Sequence, residues 1–429
     1  MRFKKRVYFI ACCFPPFGRG NAITNSCVAN HLAANFDVGV VCMEREDGGL
    51  IAYQEDSSLA DALDPRLNVM RVKAANWRGL NIALYAAGLL PCYYLNWAWS
   101  VWRARKNIFT QPGAVFAVYP VFSDLVVGYW VSRRYGFPLL VDFRDDFSGV
   151  MASGWRKVLR PFYRYIEKRI IGAAERVSVT TEALRSDILA RYELPPDKVE
   201  VVYNIVPPTP AAERHAEGTD TQRPLRAIYA GAMSRVQKPE VLLKAYAHLL
   251  ARDNELPKRL EIEFYGPESP YFSFKIRKLL TRGCQFGGFR PQAEIGQRIA
   301  ESDIGFFSLS DATFAYATPT KLFDYIEAGL PIVASLPEGA ARDIVERFEI
   351  GLVADPGDVV GLARCLEEMT NSEKLRVKCK VNMQSIRDQF SPLTQVEKWN
   401  KILYNMDLGG VQVPSDSLVY EKTGVVEKV

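Results

Sequence analysis

Short apolar runs alternate with segments of helical periodicity along most of this 429-residue chain. Strands that alternate with helices form parallel sheets with helices on both faces. The sequence therefore predicts an α/β protein with two sheets, one on each side of a central break. The predicted strands are residues 7–12, 38–42, 67–72, 114–119, 139–142, 176–179, 226–229, 262–265, 285–286, 304–307, 332–334 and 351–353.

The central break is a proline-rich segment. Residues 206–224 contain Pro207, Pro208 and Pro210, followed by charged and small residues, a composition typical of an extended linker. The predicted N-terminal domain covers residues 1–205 and the C-terminal domain residues 225–390. Residues 391–405 predict a last helix that packs back on the N-terminal domain, and residues 406–429 predict a flexible tail.

Charge and cysteine usage exclude several classes of protein. The net charge of +5 is mild and predicts no nucleic-acid partner. The eight cysteines form no C-x-x-C pair, which indicates reduced, buried thiols in the cytoplasm. The basic and apolar start of the chain is similar to a signal peptide, but Pro15 and Pro16 end the apolar run early. A buried first strand is the better interpretation.

Ligands of open parallel sheets bind beyond the carboxyl ends of the strands, so the loops there are the candidate site. After the first strand, Gly18, Arg19 and Gly20 offer close backbone approach and a cation, although a merely flexible loop has the same composition. After the fifth strand, Arg144 and Asp145 lie among further carboxylates. These residues suit either a reactive centre or a structural network of arginine and carboxylates.

Two loops of the second half carry cations that suit a diphosphate. Gly231 ends a strand and is followed by Arg235 and Lys238, which in the alternative interpretation are only solvated. The segment 317–331 predicts a helix that starts near Thr320, where the free backbone amides favour an anion. Lys321 adds a charge at this turn and Asp324 follows one turn later, where it can accept hydrogen bonds from ribose. An ordinary capped amphipathic helix is the alternative.

Taken in order, these loops resemble one known family. Residues 319–325 (PTKLFDY) resemble the "PSKxFEY" segment of family 4 retaining glycosyltransferases of the bacterial surface-polysaccharide type. Residues 231–237, 141–145, 14–20 and 285–291 are similar to the "GNIGKAQ", "EVRD", "FPPxxGG" and "FLGxVP" segments of the same family. The resemblance spans the chain from about residue 7 to 404. It implies the GT-B fold, in which two Rossmann-like domains face each other across a cleft.

The resemblance also implies a function and a site. The expected reaction moves a sugar from a UDP- or GDP-sugar to an acceptor in cell-surface polysaccharide biosynthesis, with no metal and no cofactor beyond the donor substrate. Asp145 is the candidate base, and Arg144 is expected to orient it. The expected donor-binding residues are Gly18, Arg19, Gly20, Gly231, Arg235, Lys238, Gly266, Phe289, Thr320, Lys321 and Asp324.

Departures from the family pattern keep two alternatives open. Tyr316 stands where the family has the first of two glutamates, Ala232 stands where it commonly has an arginine, and no histidine of catalytic type is found. A degenerate scaffold that still binds nucleotide would tolerate these changes. A sugar-nucleotide epimerase of similar architecture would need carboxylates and a histidine around one sugar, and no such set is visible. The stereochemical outcome is also left open by Tyr316.

Two segments of the first domain have the composition of a membrane interface. Residues 80–102 are uncharged and rich in tyrosine and tryptophan, with cations on both flanks. Residues 155–171 carry six Lys or Arg against one Glu. Two amphipathic helices packed on the sheet are the alternative. We expect peripheral docking on the inner face of the plasma membrane, and a polyprenyl-linked or glycan acceptor.

Overall fold

The computed structural model describes residues 4–18, 20–44, 54–92, 94–151, 154–208, 223–234, 236–267 and 270–407. These residues form two Rossmann-like domains, each a parallel sheet covered by helices, so the predicted GT-B fold class is confirmed. The strands lie where the apolar runs predict them. One short strand, Val199–Val201, was not predicted. It has only three residues and its central glutamate is exposed, so it shows almost no apolar pattern.

The first sheet has seven parallel strands in the order β3-β2-β1-β4-β5-β6-β7. The order reverses between β1 and β4, and such a reversal opens a ligand crevice at the carboxyl ends of the strands. In the register, Val7 pairs with Val38 on one side and Ala114 on the other. The strands are β1 (Arg6–Ile10), β2 (Asp37–Met43), β3 (Asn68–Val72), β4 (Ala114–Tyr119), β5 (Leu139–Phe143), β6 (Arg176–Val179) and β7 (Val199–Val201).

Nine α-helices accompany this sheet within the described residues, and a short 3-10 helix (Gly154–Leu159) precedes α8. Local signals explain several helix ends: Thr181 caps the start of α9 through its side chain, and Gly136 ends α6 in the left-handed conformation. The helices are α1 (Gly20–Ala33), α2 (Ser57–Asp61), α3 (Arg78–Ala86), α4 (Leu95–Arg103), α5 (Arg105–Ile108), α6 (Phe122–Tyr135), α7 (Phe147–Met151), α8 (Arg160–Ala173) and α9 (Glu182–Tyr192).

The second sheet has six parallel strands in the order β10-β9-β8-β11-β12-β13, with the same reversal between its first and fourth strands. Its strands are β8 (Leu225–Ala230), β9 (Leu260–Tyr265), β10 (Cys284–Gly288), β11 (Ile304–Ser308), β12 (Ile332–Ser335) and β13 (Gly351–Ala354). Its helices are α10 (Glu240–Leu250), α11 (Pro270–Arg277), α12 (Gln292–Ala300), α13 (Thr320–Ala328), α14 (Ala340–Arg347), α15 (Val359–Asn371) and α16 (Glu373–Phe390).

A last helix, α17 (Pro392–Asn405), returns to the first domain. Trp399 and Leu403 lie in the core between the first sheet and α1, and the Trp399 ring is 5.6 Å from that of Phe116. Lys5 donates from its ammonium to the carbonyl oxygen of Leu403 (2.7 Å) and to that of Met406. Met406 is itself buried, so the predicted flexible tail does not begin at 406. Residues 408–429 lie outside the described residues.

The aromatic segment 80–102 is folded into two helices, α3 and α4, rather than one continuous span. Trp97 is fully buried and packs in the core with Val101 and Ala98, whereas Trp99 on the opposite side of α4 is 44% exposed. The expectation that the whole segment is interfacial is therefore wrong for Trp97. Among the helices described, none combines the length and apolar character that a bilayer crossing requires.

Replacing the two tryptophans should have very different effects on stability. Trp97→Ala removes a fully buried side chain, and such losses cost about 3–5 kcal/mol. Trp99→Ala, with a partly exposed side chain, should cost about 1 kcal/mol or less. Urea denaturation followed by far-UV circular dichroism measures both. Equal midpoints for the two variants would contradict the placement of α4.

Candidate functional site

The loops singled out by the sequence meet where the two domains touch. A side chain on Gly18 would place its Cβ 2.7 Å from the Phe289 ring and 2.7 Å from the carbonyl oxygen of Gln54, so only glycine fits there. Nearby, the backbone N–H of Gln292 at the start of α12 donates to Asp56 Oδ2 (2.7 Å). Gly18 and Phe289, both predicted donor-binding residues, thus lie together on opposite sides of the domain boundary.

Lys321 is held against the carboxyl end of β8. Its ammonium donates to Gln237 Oε1 (3.1 Å) and lies 5.0 Å from the centroid of the Tyr229 ring. A Cβ on Gly231 would be 2.4 Å from Nζ, and Gly231 has a φ of +145°, which L side chains rarely adopt. Glycine at 231 therefore makes the space in which the ammonium sits. The sequence predicted Gly231 and Lys321 but missed Gln237, an uncharged residue in a loop.

The first turn of α13 is prepared for an anion. Pro319 precedes the helix, and within the described residues no side chain caps it. In the first turn, the Leu322 N–H donates to the Pro319 carbonyl oxygen (3.0 Å). Thr318 is buried, and within the described residues its hydroxyl has no hydrogen-bond partner. Burial lowers the pKa of Lys321 to about 8, although Asp324 opposes the shift. Burial raises the pKa of Asp324 to about 7, and Lys321 opposes that shift.

Asp324 also borders a cavity of about 410 Å³ between the domains. The side of the cavity from α1 carries Cys27, Asn30 and His31, and the opposite side carries Gln292 and other residues of α12. A volume of this order is typical of small-molecule sites. His31 also lines this cavity, with its Nδ1 2.7 Å from the carbonyl oxygen of Cys27.

Arg144 lies in a buried network of hydrogen bonds. Its Nε donates to Asp142 Oδ2 (2.9 Å), and its Nη1 donates to Asn25 Oδ1 (2.9 Å). Asn25 in turn donates to the carbonyl oxygen of Cys13, in the loop that follows β1. These contacts differ from the expectation that Arg144 orients Asp145. They match the alternative left open by the sequence, a structural network of arginine and carboxylate.

Asp145 faces the second domain instead. The Tyr316 hydroxyl donates to Asp145 Oδ1 (3.4 Å), and the Tyr316 carbonyl oxygen accepts from Thr181 Oγ1 (2.8 Å). Burial raises the pKa of Asp145, partly offset by the Tyr316 hydrogen bond and by Arg144. Burial and Asp145 raise the pKa of Tyr316, so the tyrosine stays a hydroxyl donor. The residue at the family's first glutamate position therefore contacts the candidate base directly.

The neighbouring Asp146 belongs to a second buried ionic cluster. Arg191 bonds Asp146 through Nη1 (2.8 Å) and Nη2 (3.2 Å) and also bonds Glu167 on α8 (3.0 Å). Glu167 has no exposed side-chain area, and the Tyr192 hydroxyl donates to it. This cluster fixes the loop after β5 to α8 and α9, so Asp145 stands on a rigid support.

The remaining predicted residues are distributed differently. Lys238 is exposed with a φ of 39°, and nothing in its described contacts brings it to Lys321. Gly20 begins α1 in open space, whereas a Cβ on Gly266 would lie 2.1 Å from the Gly231 carbonyl oxygen. Thr320 is the first residue of α13. Arg19 and Arg235 lie outside the described residues. No three His, Cys, Asp or Glu side chains in the described ranges form a group that could hold a metal ion.

The raised pKa of Asp324 predicts how stability depends on pH. Between the unfolded value of 3.8 and the folded value of about 7, the folded protein keeps a proton that the unfolded chain releases. The contribution of Asp324 to the free energy of unfolding is therefore fully present below about pH 4 and is lost as the pH rises to about 7. Lys321 stays protonated in this window. Asp324→Asn does not titrate, so its free energy of unfolding should rise relative to the wild type between pH 4 and 7. A constant difference in urea denaturation would contradict the burial of this carboxyl.

Two family descriptions match the chain in order. "Glycosyl transferase 4-like domain" matches residues 23–204, and "Glycosyl transferases group 1" matches residues 212–385. The boundary between the two matches falls in the proline-rich segment. Together the matches cover every strand of the two sheets except β1, and they leave out the loop that contains Gly18.

Curated relatives share parts of both domains. A D-inositol 3-phosphate glycosyltransferase from Streptomyces scabiei is 31% identical over 336 residues, which cover 73% of this chain and 71% of that protein. One from Streptomyces bingchenggensis is 29% identical over 207 residues, 40% of this chain and 46% of that protein. The chain spans about half the length of the first curated relatives it matches.

Solved structures share the fold at low identity. WaaG, a glycosyltransferase involved in lipopolysaccharide biosynthesis, superposes with a TM-score of 0.65 and 16% identity over 93% of this chain and all of that chain. HepE from Anabaena, solved with UDP-glucose, gives a TM-score of 0.64 and 15% identity over 94% of this chain and 100% of that chain. With both domain families matched in order and the Streptomyces scabiei relative aligned over more than two thirds of each chain, this chain belongs to the GT-B glycosyltransferases.

Proposed function

We propose that the protein transfers a sugar, of the hexosyl type, from a UDP- or GDP-sugar to an acceptor. The observation that carries this function is the Lys321 ammonium, held beside Gly231 at the uncapped start of α13. A diphosphate leaving group gathers negative charge as the glycosidic bond to it breaks. A preorganised ammonium and free helix amides stabilise that charge without reorganisation.

The nucleoside is proposed to occupy the cavity beside Asp324. The carboxylate lies one helical turn beyond Lys321, so a diphosphate at the helix start would bring its ribose to Asp324. A ribose presents two hydroxyl donors, which a carboxylate accepts well. The 410 Å³ cavity supports this assignment in volume. Gly18 and Phe289 on one side and Gly231 and Gly266 on the other would then flank the donor.

We propose that the reaction needs no metal ion and no cofactor. Lys321 and the amides of α13 supply the positive charge that a divalent cation would supply elsewhere. Retention of the anomeric configuration, as in family 4, is proposed from the motif resemblance alone. The wider motif set keeps Arg19, Arg235 and Lys238 as proposed further cations for the donor.

Asp145 is the proposed base for the acceptor hydroxyl. Its raised pKa brings the carboxylate closer to the operating pH, where general bases work best. Tyr316 would position it through the hydrogen bond across the domain boundary. In this assignment Arg144 acts through the network around β5, as a structural support rather than as a group touching substrate.

One observation favours a second candidate, a scaffold that binds nucleotide without transferring sugar. Tyr316 occupies the position where the family carries a glutamate, and its hydroxyl is directed to Asp145. In such a scaffold the tyrosine would block a carboxylate that the acceptor otherwise needs. Donor turnover separates the two candidates, since a scaffold binds the nucleotide but releases no nucleoside diphosphate.

The proposed acceptor belongs to cell-surface polysaccharide biosynthesis, either a glycan or a sugar carried on a polyprenyl lipid. The motifs of bacterial surface-polysaccharide enzymes support this proposal, and WaaG is a structural neighbour from lipopolysaccharide biosynthesis. The curated relatives act on D-inositol 3-phosphate, a small acceptor that is the competing possibility. The proposed location is the cytoplasm, at the inner face of the plasma membrane.

Lys321→Ala should weaken binding of UDP or GDP by about 1.5–3 kcal/mol, the contribution of a hydrogen bond to a charged group. Titration calorimetry in buffer that contains EDTA measures this and excludes bound metal at the same time. Lys244→Ala removes an exposed cation from α10 of the same domain and serves as the matched control. Equal affinities for the wild type and Lys321→Ala would remove the lysine from the donor site.

Asp145→Asn should reduce turnover while leaving nucleotide affinity unchanged. General bases contribute roughly 10²–10⁴-fold, so kcat/KM for release of nucleoside diphosphate should fall by about that factor. The assay supplies UDP- and GDP-sugars with water as the acceptor. Asp388→Asn, an exposed carboxylate of α16, is the control variant. Wild-type turnover in Asp145→Asn would assign the base elsewhere, and no turnover in any variant would favour the scaffold.

A further inference from the structure

A large part of the first domain lacks acidic residues. No Asp or Glu occurs between Asp64 and Asp124, a stretch that includes β3, α3, α4 and α5. Between residues 147 and 174 the one acid is Glu167, which is buried against Arg191. The Lys and Arg side chains that these two stretches expose to solvent are therefore not neutralised by an exposed Asp or Glu within the same stretches.

The two stretches pack against each other. Arg156 donates from Nη2 to the carbonyl oxygen of Tyr85 (2.6 Å), and its guanidinium lies 4.8 Å from the centroid of the Tyr85 ring. The Tyr163 hydroxyl donates to the carbonyl oxygen of Gly88 (3.4 Å). The turn after α3 and the start of α8 therefore form a continuous surface, which we call the basic–apolar surface.

Large apolar side chains on this surface are open to solvent. Leu89 is 65% exposed, Val158 77%, Phe162 50% and Tyr165 61%. Exposed cations stand between them along the 3-10 helix and α8: Lys157, Arg160, Arg164 and Lys168. Single exposed apolar side chains are common, but a group of them interleaved with cations, in segments whose one acid is buried, is typical of an interaction site.

We propose that the basic–apolar surface docks on an anionic lipid bilayer. The cations match the negative surface of such a leaflet, where each contributes about 1 kcal/mol. The apolar side chains match the boundary between headgroups and acyl chains, into which an interfacial helix inserts its apolar face. A nucleic acid would also attract the cations, and the rings of Phe162 and Tyr165 are able to stack on bases. The two most exposed apolar side chains, Leu89 and Val158, are aliphatic and have no such role, which favours a bilayer.

The position of the surface links it to the proposed reaction, and this part of the inference rests on the proposed function. The buried face of α8 holds the loop after β5: the Tyr163 ring packs on Phe147 (6.0 Å), and Glu167 is joined to Asp146 through Arg191. Asp145 lies next to that cluster. A bilayer against the exposed face of α8 would therefore be close to the proposed acceptor site, as a lipid-linked acceptor requires.

Vesicle sedimentation tests the docking with the full chain. The protein is mixed with vesicles of phosphatidylcholine alone or of phosphatidylcholine with phosphatidylglycerol, at low and high salt. The wild type should sediment with the anionic vesicles, and salt should weaken binding only in part. Phe162→Ser with Tyr165→Ser, and separately Arg160→Glu with Arg164→Glu, should each lower the partition coefficient by roughly tenfold or more.

Matched controls lie on α16 of the second domain, where Val377→Ser with Val381→Ser and Lys374→Glu with Lys380→Glu change the same kinds of exposed residues. These variants should bind vesicles as the wild type does. Equal losses in the α16 variants, or wild-type protein that stays in the supernatant at low salt, would overturn the proposal. So would binding to a DNA oligonucleotide without vesicle binding. Calorimetry with UDP and GDP on the same proteins tests the donor site separately, so a failure there leaves the docking result standing.

Discussion

The buried ion pair between Asp142 and Arg144 joins parts of the chain that are far apart in sequence. Arg144 reaches α1 through Asn25, and Asp142 accepts from Ser178 on β6 (2.6 Å), which accepts from Trp399 on α17 (3.0 Å). The Arg144 side chain is only 7% exposed and the Asp142 side chain 1%. Breaking a buried pair leaves an uncompensated charge that costs about 3–5 kcal/mol. The loops after β1 and β5 therefore have fixed positions before any ligand arrives.

The fold followed from the sequence because a parallel sheet buries both faces and its strands read as apolar runs. Strand β7 was not predicted, because it has only three residues and its central Glu200 is exposed. Individual side chains in α4 were harder to assign. Trp97 and Trp99 have the same chemistry in the same uncharged stretch, and their burial depends on which helical face meets α6. The polar residues of α4 do not decide this locally, because Asn96 is itself buried next to Trp97.

The site was predictable in its second-domain half and less so in the first. Lys321 and Gly231 follow a helix start and a strand end, which are local signals. Arg144 and Asp145 are adjacent, and their different roles are set by Asn25, 119 residues away, and Tyr316, 171 residues away. Such partners cannot be inferred from local spacing. For the same reason Gln237 was not predicted, because its role depends on the hydrogen bond that it accepts from the Lys321 ammonium.

Helix α17 makes the covalent order of the chain differ from its spatial order. The polypeptide leaves the first domain at the proline-rich segment, builds the second domain, and then supplies Trp399 and Leu403 to the core it left. An N-terminal fragment that ends at that segment would lack these side chains. The hydrophobic residues between α1 and the first sheet would then be exposed to solvent. The two halves are therefore separate in architecture but not as folding units. A recombined enzyme that exchanges the second half would have to carry a compatible α17 with it.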